Sequence, residues 1–265
     1  MRQFNFGKNW LKFSEKTLDE GKLLAAQQSL VELIGQENIK GKSFLDIGCG
    51  SGIFSIAARK LGAKKVVGFD VSPESIQSAQ QNRQKYLDDP EISFYVLSIL
   101  KNSYKRFGRF DIVYSWGVLH HTGNMWQAMK NSADLVKDNG LFVIAIYNKH
   151  WSSPYWKLIK YVYNFSPRLI QRLMIYFFYV IILCAKFLIA FRNPYQKRRG
   201  MDFYHDVIDW VGGYPYEYAD RMKIINFILP MGFKLRKSFP APVPTGCNEF
   251  VFVKDYSQHE NITHY

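Results

Sequence analysis

"FLDIGCGSGIF", residues 44–54, ends an apolar run in three glycines spaced two positions apart, with a carboxylate, Asp46, two positions before the first. Gly48, Gly50 and Gly52 permit backbone N–H groups to approach a ligand that any Cβ would block. The stretch reads as a strand that turns through a ligand-binding loop into a helix, "IFSIAARKL" at 53–61. A second strand, "KKVVGFD", then closes on Asp70.

Working outward, apolar positions at helical spacing predict a helix over 16–34, stopped at Gly35. Ser72 before Pro73 pairs a cap oxygen with a residue that has no N–H to leave unsatisfied, and starts a helix that runs to about Leu87. Strand-like runs follow at 92–97, 110–115 and 141–147, and "MWQAMKNSADLV" (125–136) reads as a helix ended by a "DNG" turn. The pattern breaks at about 148 and resumes near 219 with a helix, then strands at 233–239 and 249–254. Strands that are apolar throughout, alternating with helices, imply a mostly parallel sheet covered on both faces. The expected fold class is α/β, Rossmann-like, with seven strands. Four parts are expected: an N-terminal helical cap over 1–40, a cofactor-binding core over 41–147, an apolar helical insertion over 148–218, and the end of the sheet over 219–265.

The loop's spacing narrows its ligand. A dinucleotide loop reads G-x-G-x-x-G, whereas this one reads G-x-G-x-G behind an acid. Asp46 would repel a pyrophosphate and suits a cationic amine, while Asp70 is placed to accept from ribose hydroxyls. A nucleoside that bears an amine and no phosphate fits, which points to S-adenosylmethionine over a nicotinamide dinucleotide.

"LDIGCGSG", "VVGFD" and "FDIVYSWGVLHHTG" resemble successive motifs of class I S-adenosylmethionine-dependent methyltransferases, over roughly residues 40–147. The later "DWVGGYPYE" and "GCNEFVF" resemble segments of a bacterial subgroup of such enzymes. The resemblance implies that Asp46 serves the methionine amine, that Gly48, Gly50 and Gly52 line the methionyl part, and that Asp70, with Val71 beside it, holds the ribose. It also implies S-adenosyl-L-homocysteine as product. Where the family often has an acid for the adenine amine, this chain has Ser98 and Ile99, so that contact is expected to be weaker or made by backbone.

A displacement at the methyl carbon needs positioning first, and a base only if the acceptor must lose a proton. "SWGVLHHTG" leaves the fourth strand and places Trp116, His120 and His121 near the methionyl end. His120 is expected to order the loop and His121 to be the candidate proton acceptor. In "MDFYHDVIDWVGGYPYE" (201–217), His205 and Glu217 are the leading polar groups of an acceptor pocket. No His, Cys or carboxylate cluster has metal-ligand spacing. The aromatic "FNFGKNW" either folds over the cofactor as a lid or packs the first helix on the sheet.

The formal charge of +13 calls for an anionic partner: nucleic acid, lipid surface or acidic substrate. Thirteen apolar residues run from Leu173 to Ala185 and the stretch continues to Phe191, with basic residues on both flanks. It is expected to form helices that serve as a substrate lid or lie on an anionic membrane surface. An aromatic content of 17% adds to this and favours a lipophilic, aromatic or lipid-like acceptor. An RNA methyltransferase is the competing enzyme; "SWGV" is not the N/D-P-P-Y/F that grips a base amine. A non-catalytic membrane-docking adaptor ranks last, because the glycine loop is intact. Three scattered cysteines imply no disulfide framework, and the N-terminus does not read as a secretory signal, so the expected setting is cytoplasmic, at most peripheral at the inner membrane.

Overall fold

The computed structural model describes Phe4, Phe6, Gly7, residues 18–188 and residues 203–255. Valine, isoleucine and phenylalanine runs build seven strands: β1 (Ser43–Ile47), β2 (Lys65–Asp70), β3 (Ile92–Val96), β4 (Phe110–Trp116), β5 (Val136–Tyr147), β6 (Phe233–Phe239) and β7 (Cys247–Lys254). They form one sheet in the order β3-β2-β1-β4-β5-β7-β6. The pairings from β3 to β5 are parallel, and β7 runs against both β5 and β6. The expected Rossmann-like α/β sheet is present.

Because side chains alternate along a strand, each strand feeds two cores. On one face Phe44, Tyr114 and Val251 pack with helices α1 (Glu20–Ile34), α2 (Ile53–Lys60) and α3 (Pro73–Tyr86). On the other, Leu45, Val113 and Phe252 pack with α4 (Met125–Ala133) and with a late helix, Arg221–Ile228. Between those two helices the chain leaves the sheet as α5 (Ser153–Phe165), α6 (Arg168–Leu188) and α7 (Phe203–Gly212), so the late helix is α8. Helices α5 to α7 enclose a third, smaller apolar cluster around Tyr163, Ile175 and Val207.

Local chemistry sets the helix starts. Asp19 accepts from the Lys22 N–H at 2.8 Å to cap α1, and Ser72 accepts from the Ser75 N–H at 3.3 Å to cap α3. Helix α1 buries Leu23, Ala26 and Leu30 in the same apolar cluster as α2. One expectation needs correction. "DNG" does not terminate a helix, because α4 ends at Ala133 and Asn139, at φ 61, lies inside β5. The pairing register with β4 shifts there, from Phe110↔Val136 to Ile112↔Leu141, so the three residues form a bulge.

Among the described residues no helix is long and apolar enough to cross a membrane. The end of the apolar run, 189–191, and the basic residues 192–199 lie outside the described residues.

Candidate functional site

β1 has β2 on one side and β4 on the other, so the direction of winding reverses between β1 and β4. Sheets of this kind bind ligands at such a point, beyond the carboxyl ends of their strands. The glycine loop follows β1 there. The N–H groups of Gly48 and Cys49 both donate to the Phe69 carbonyl, at 2.6 and 2.8 Å, and lash the loop to β2. Gly48 sits at φ +75°, and a Cβ there would fall 2.3 Å from a methyl of Val118. Gly52, also at φ +75°, starts α2 where a Cβ would meet the Phe94 ring at 2.8 Å. Gly50 completes the left-handed set at φ 53. Neither shape nor backbone angle admits a side chain at Gly48 or Gly52.

Two acids meet at this loop. Asp46, at the end of β1, is only 3% exposed, and the Ser55 hydroxyl donates to its Oδ2 at 2.7 Å. Burial pushes its pKa up to about 7, against that hydrogen bond, and the charge of Asp70 raises it further. Asp70, at the end of β2, accepts from the Gly50 N–H on Oδ2 (3.0 Å) and from the Ser72 N–H on Oδ1 (2.8 Å). It clasps the glycine loop to the head of α3, and burial raises its pKa as well. Among the described residues no Lys or Arg forms an ion pair with either acid. Buried carboxylates without a cation, beside a loop that a Cβ would block, fit a ligand carrying an ammonium and a diol.

The remaining expected cofactor residues divide. Val71 is exposed next to Asp70. Ser98 follows β3 half-buried, accepting from the Leu100 N–H at 3.2 Å, and the Leu97 N–H donates to the Asp70 carbonyl at 2.8 Å, which brings this turn beside Asp70. The Ile99 side chain is buried in the core and its carbonyl accepts from the Asn131 amide at 2.8 Å, so any contact it makes with a ligand falls to its backbone. The Trp116 indole donates to Glu249 Oε1 at 2.7 Å, crossing Ala145 of β5, whose methyl leaves room beneath it.

The acceptor candidates fare differently. His121 is buried, its Nδ1–H donates to the Pro215 carbonyl at 2.6 Å, and burial followed by the charge of Lys160 lowers its pKa to about 3. Through that hydrogen bond His121 joins the turn after β4 to the Gly-Gly-Tyr-Pro turn, and burial disfavours its protonated form. His120 orders the same region: its carbonyl accepts from the Glu217 N–H at 3.0 Å and its ring lies 4.0 Å from that of Tyr147. Glu217 has partners at the head of a helix. Its carboxylate accepts from the Met125 N–H at 3.1 and 3.3 Å, so it caps α4. His205 lies on α7, and its side chain is outside the described residues.

Sequence reasoning missed Lys160. It is fully buried on α5, its ammonium donates to the Trp210 carbonyl, and it lies 4.6, 4.9 and 5.9 Å from the ring centroids of Trp210, Tyr216 and Tyr147. Burial lowers its pKa to about 7, with Asp209 acting in the opposite sense. A signal existed: Ser153, Lys160 and Asn164 are the polar residues at one helical face of an otherwise apolar segment, and all are buried.

Phe4, Phe6 and Gly7 cross between the two sides. The Phe4 N–H donates to the Tyr214 carbonyl at 2.9 Å, the Phe6 ring lies 4.9 Å from that of His121, and a Cβ on Gly7 would strike the Ser72 hydroxyl. This much of the N-terminus lies against the site, not under α1. Among the described residues no group of His, Cys, Asp and Glu could hold a metal ion.

A family model described as a methyltransferase domain matches residues 20–203. Over 135 residues the chain is 30% identical to the ubiquinone biosynthesis O-methyltransferase of Coxiella burnetii, covering 50% of this chain and 56% of that protein. Over 71 residues it is 51% identical to the ribosomal protein L11 methyltransferase of Methylobacillus flagellatus, 27% of this chain and 22% of that one. The chain thus spans between 22% and 56% of the length of these curated relatives. Among solved structures, magnesium protoporphyrin IX methyltransferase of Synechocystis PCC 6803 with bound S-adenosylhomocysteine superposes with a TM-score of 0.55 at 16% identity, over 96% of this chain and 89% of that one. That likeness shows the fold.

Proposed function

The chain belongs to the class I S-adenosylmethionine-dependent methyltransferase family, and from that premise we propose that it methylates a small lipophilic or aromatic acceptor. When bound, the cofactor supplies a methyl group already activated on a sulfonium, so most of what the chain must add is position. Asp46 receives the ammonium, which returns the buried acid to its ionised form. The left-handed glycines keep the loop's backbone open to the methionyl part, and Asp70 offers its remaining lone pairs to the ribose hydroxyls while holding Gly50 and Ser72. Val71 and Ser98 border the nucleoside end, and Trp116, fixed by Glu249, borders the β4 end.

The observation that carries the acceptor class is the aromatic wall beyond β4 and β5. The Tyr147 ring lies 5.0 Å from Tyr216 and 5.5 Å from Trp210, which lies 5.2 Å from Trp156. Such a wall holds a flat or greasy molecule by area and excludes water. Among the described residues Lys160 brings an ammonium to these rings, and burial lowers its pKa to about 7, which would let its neutral amine accept a proton from a hydroxyl or amine near neutrality. The Coxiella burnetii relative, named for ubiquinone biosynthesis, supports an acceptor of this kind. The test is incubation of the purified protein with methyl-labelled cofactor and fractionated cell extract. Label in the lipid-soluble small-molecule fraction is expected; label in RNA or protein with that fraction unlabelled overturns the reading.

A further inference from the structure

Helix α5 buries polar side chains beside Tyr163. Its buried face carries Ser153, Lys160 and Asn164, and the Asn164 amide donates to the carbonyls of Lys160 and Gly212 at 2.8 and 2.7 Å, which fastens that face to the end of α7. Its exposed face is apolar: Trp151, Tyr155, Leu158, Val162 and Phe165 recur at intervals of three and four residues, a continuous stripe along one side of the helix and the turn before it. Helix α6 continues the surface with Leu169, Leu173, Tyr176 and Val180 at the same intervals. Trp151 is 77% exposed and Tyr176 72%, so this is not core seen at its edge. A contiguous apolar face of this kind marks a docking site.

The charge around it selects the occupant. From residue 139 to residue 201 the sequence contains no Asp or Glu, while ten Lys and Arg fall in the same stretch. Lys157, Arg168 and Arg172 are exposed on the two helices that carry the stripes. A second copy of the chain meeting this face about a two-fold axis would bring those cations against their own kind. Apolar residues with Tyr and Trp among them, and basic residues alongside, match the boundary between acyl chains and anionic headgroups. We propose that the outward faces of α5 and α6 dock on an anionic phospholipid surface, with the opposite face of α5 turned toward the acceptor side of the site. The docking requires no particular methyl acceptor, so it stands apart from the reading of function above.

Flotation of the whole protein with vesicles tests it, comparing phosphatidylcholine alone with phosphatidylcholine mixed with phosphatidylglycerol. Binding to the mixed vesicles is expected, weakened by salt, and weakened at least about tenfold by the double substitution Leu173→Glu and Tyr176→Glu. Both positions are exposed, so calorimetric binding of S-adenosylhomocysteine should be unchanged in that variant and reports its folding. Failure of the wild type to float with anionic vesicles overturns the proposal. So does a stable dimer that the same double substitution converts to monomer.

Discussion

At the ends of β1 and β2 stand Asp46 and Asp70, acids whose pKa values burial raises; beyond β4 and on α5 stand His120, His121 and Lys160, bases whose pKa values burial lowers. Each side is strained toward neutrality by the same cause, loss of water, and the two differ in what relieves it. Among the described residues the acids have no Lys or Arg ion-pair partner, so a ligand that brings a cation would satisfy them. The bases are held among aromatic rings and carbonyls of the chain itself, and need no ion from outside. The first side is therefore built to bind a charged molecule, and the second to remain neutral against an uncharged one.

The largest effect that would break this contrast lies at Lys160. Its folded pKa, about 7, is below its ordinary value of 10.5, so between those limits the unfolded chain holds a proton that the folded chain has released. The contribution of Lys160 to stability should therefore rise with pH above 7, by up to about 1.4 kcal/mol per pH unit, and be constant below 7 where both states hold its proton. Denaturant unfolding between pH 7 and 9 measures the slope. Lys160→Met should flatten it; an equal slope in the variant would remove Lys160 as its source.

Gly48 sharpens the acid side. Gly48→Ala puts a Cβ against Val118 at φ +75° and should destabilise the fold by about 1–3 kcal/mol, with a loss of cofactor affinity near tenfold. Adding Val118→Ala relieves the contact and should recover part of the affinity, the remainder being backbone strain. Full recovery would show that the left-handed angle does not matter. The smallest effect is at Glu217, where Glu217→Gln should weaken the cap of α4 by about 0.5–1 kcal/mol in thermal unfolding and leave turnover intact. Abolished turnover would restore Glu217 to the acceptor pocket.

The same contrast explains what could be read from the sequence. The acid side is local: strand, loop and helix are consecutive, and Asp46, Gly48, Gly50, Gly52 and Asp70 all lie within one β-α-β unit, so their nearness could be expected from spacing. The base side is assembled from the turn after β4, from α5 and from the segment after α7, which lie far apart in the chain. Polar residues there looked alike in the sequence. Only packing separates Glu217, turned to the head of α4, and His121, pinned to Pro215, from Lys160 in its aromatic cage. The position of Ile99 in the chain likewise does not say that its side chain faces the core. "DNG" carried a turn signal that was correct in chemistry and wrong in context, since a bulge inside β5 needs the same residues as a loop.

Calorimetric titration of S-adenosylhomocysteine, which carries the same ammonium as the methyl donor, into wild type and Asp46→Asn tests the central claim most directly. Below pH 7 the buried acid is largely protonated, so wild-type binding should release a proton, read as a heat that varies with the buffer's ionisation enthalpy; above pH 7 that dependence should fade. Asp46→Asn should bind roughly 10–100-fold more weakly and release no proton at either pH. Equal affinity in the two proteins, or no heat from an intact wild-type sample, would contradict the account.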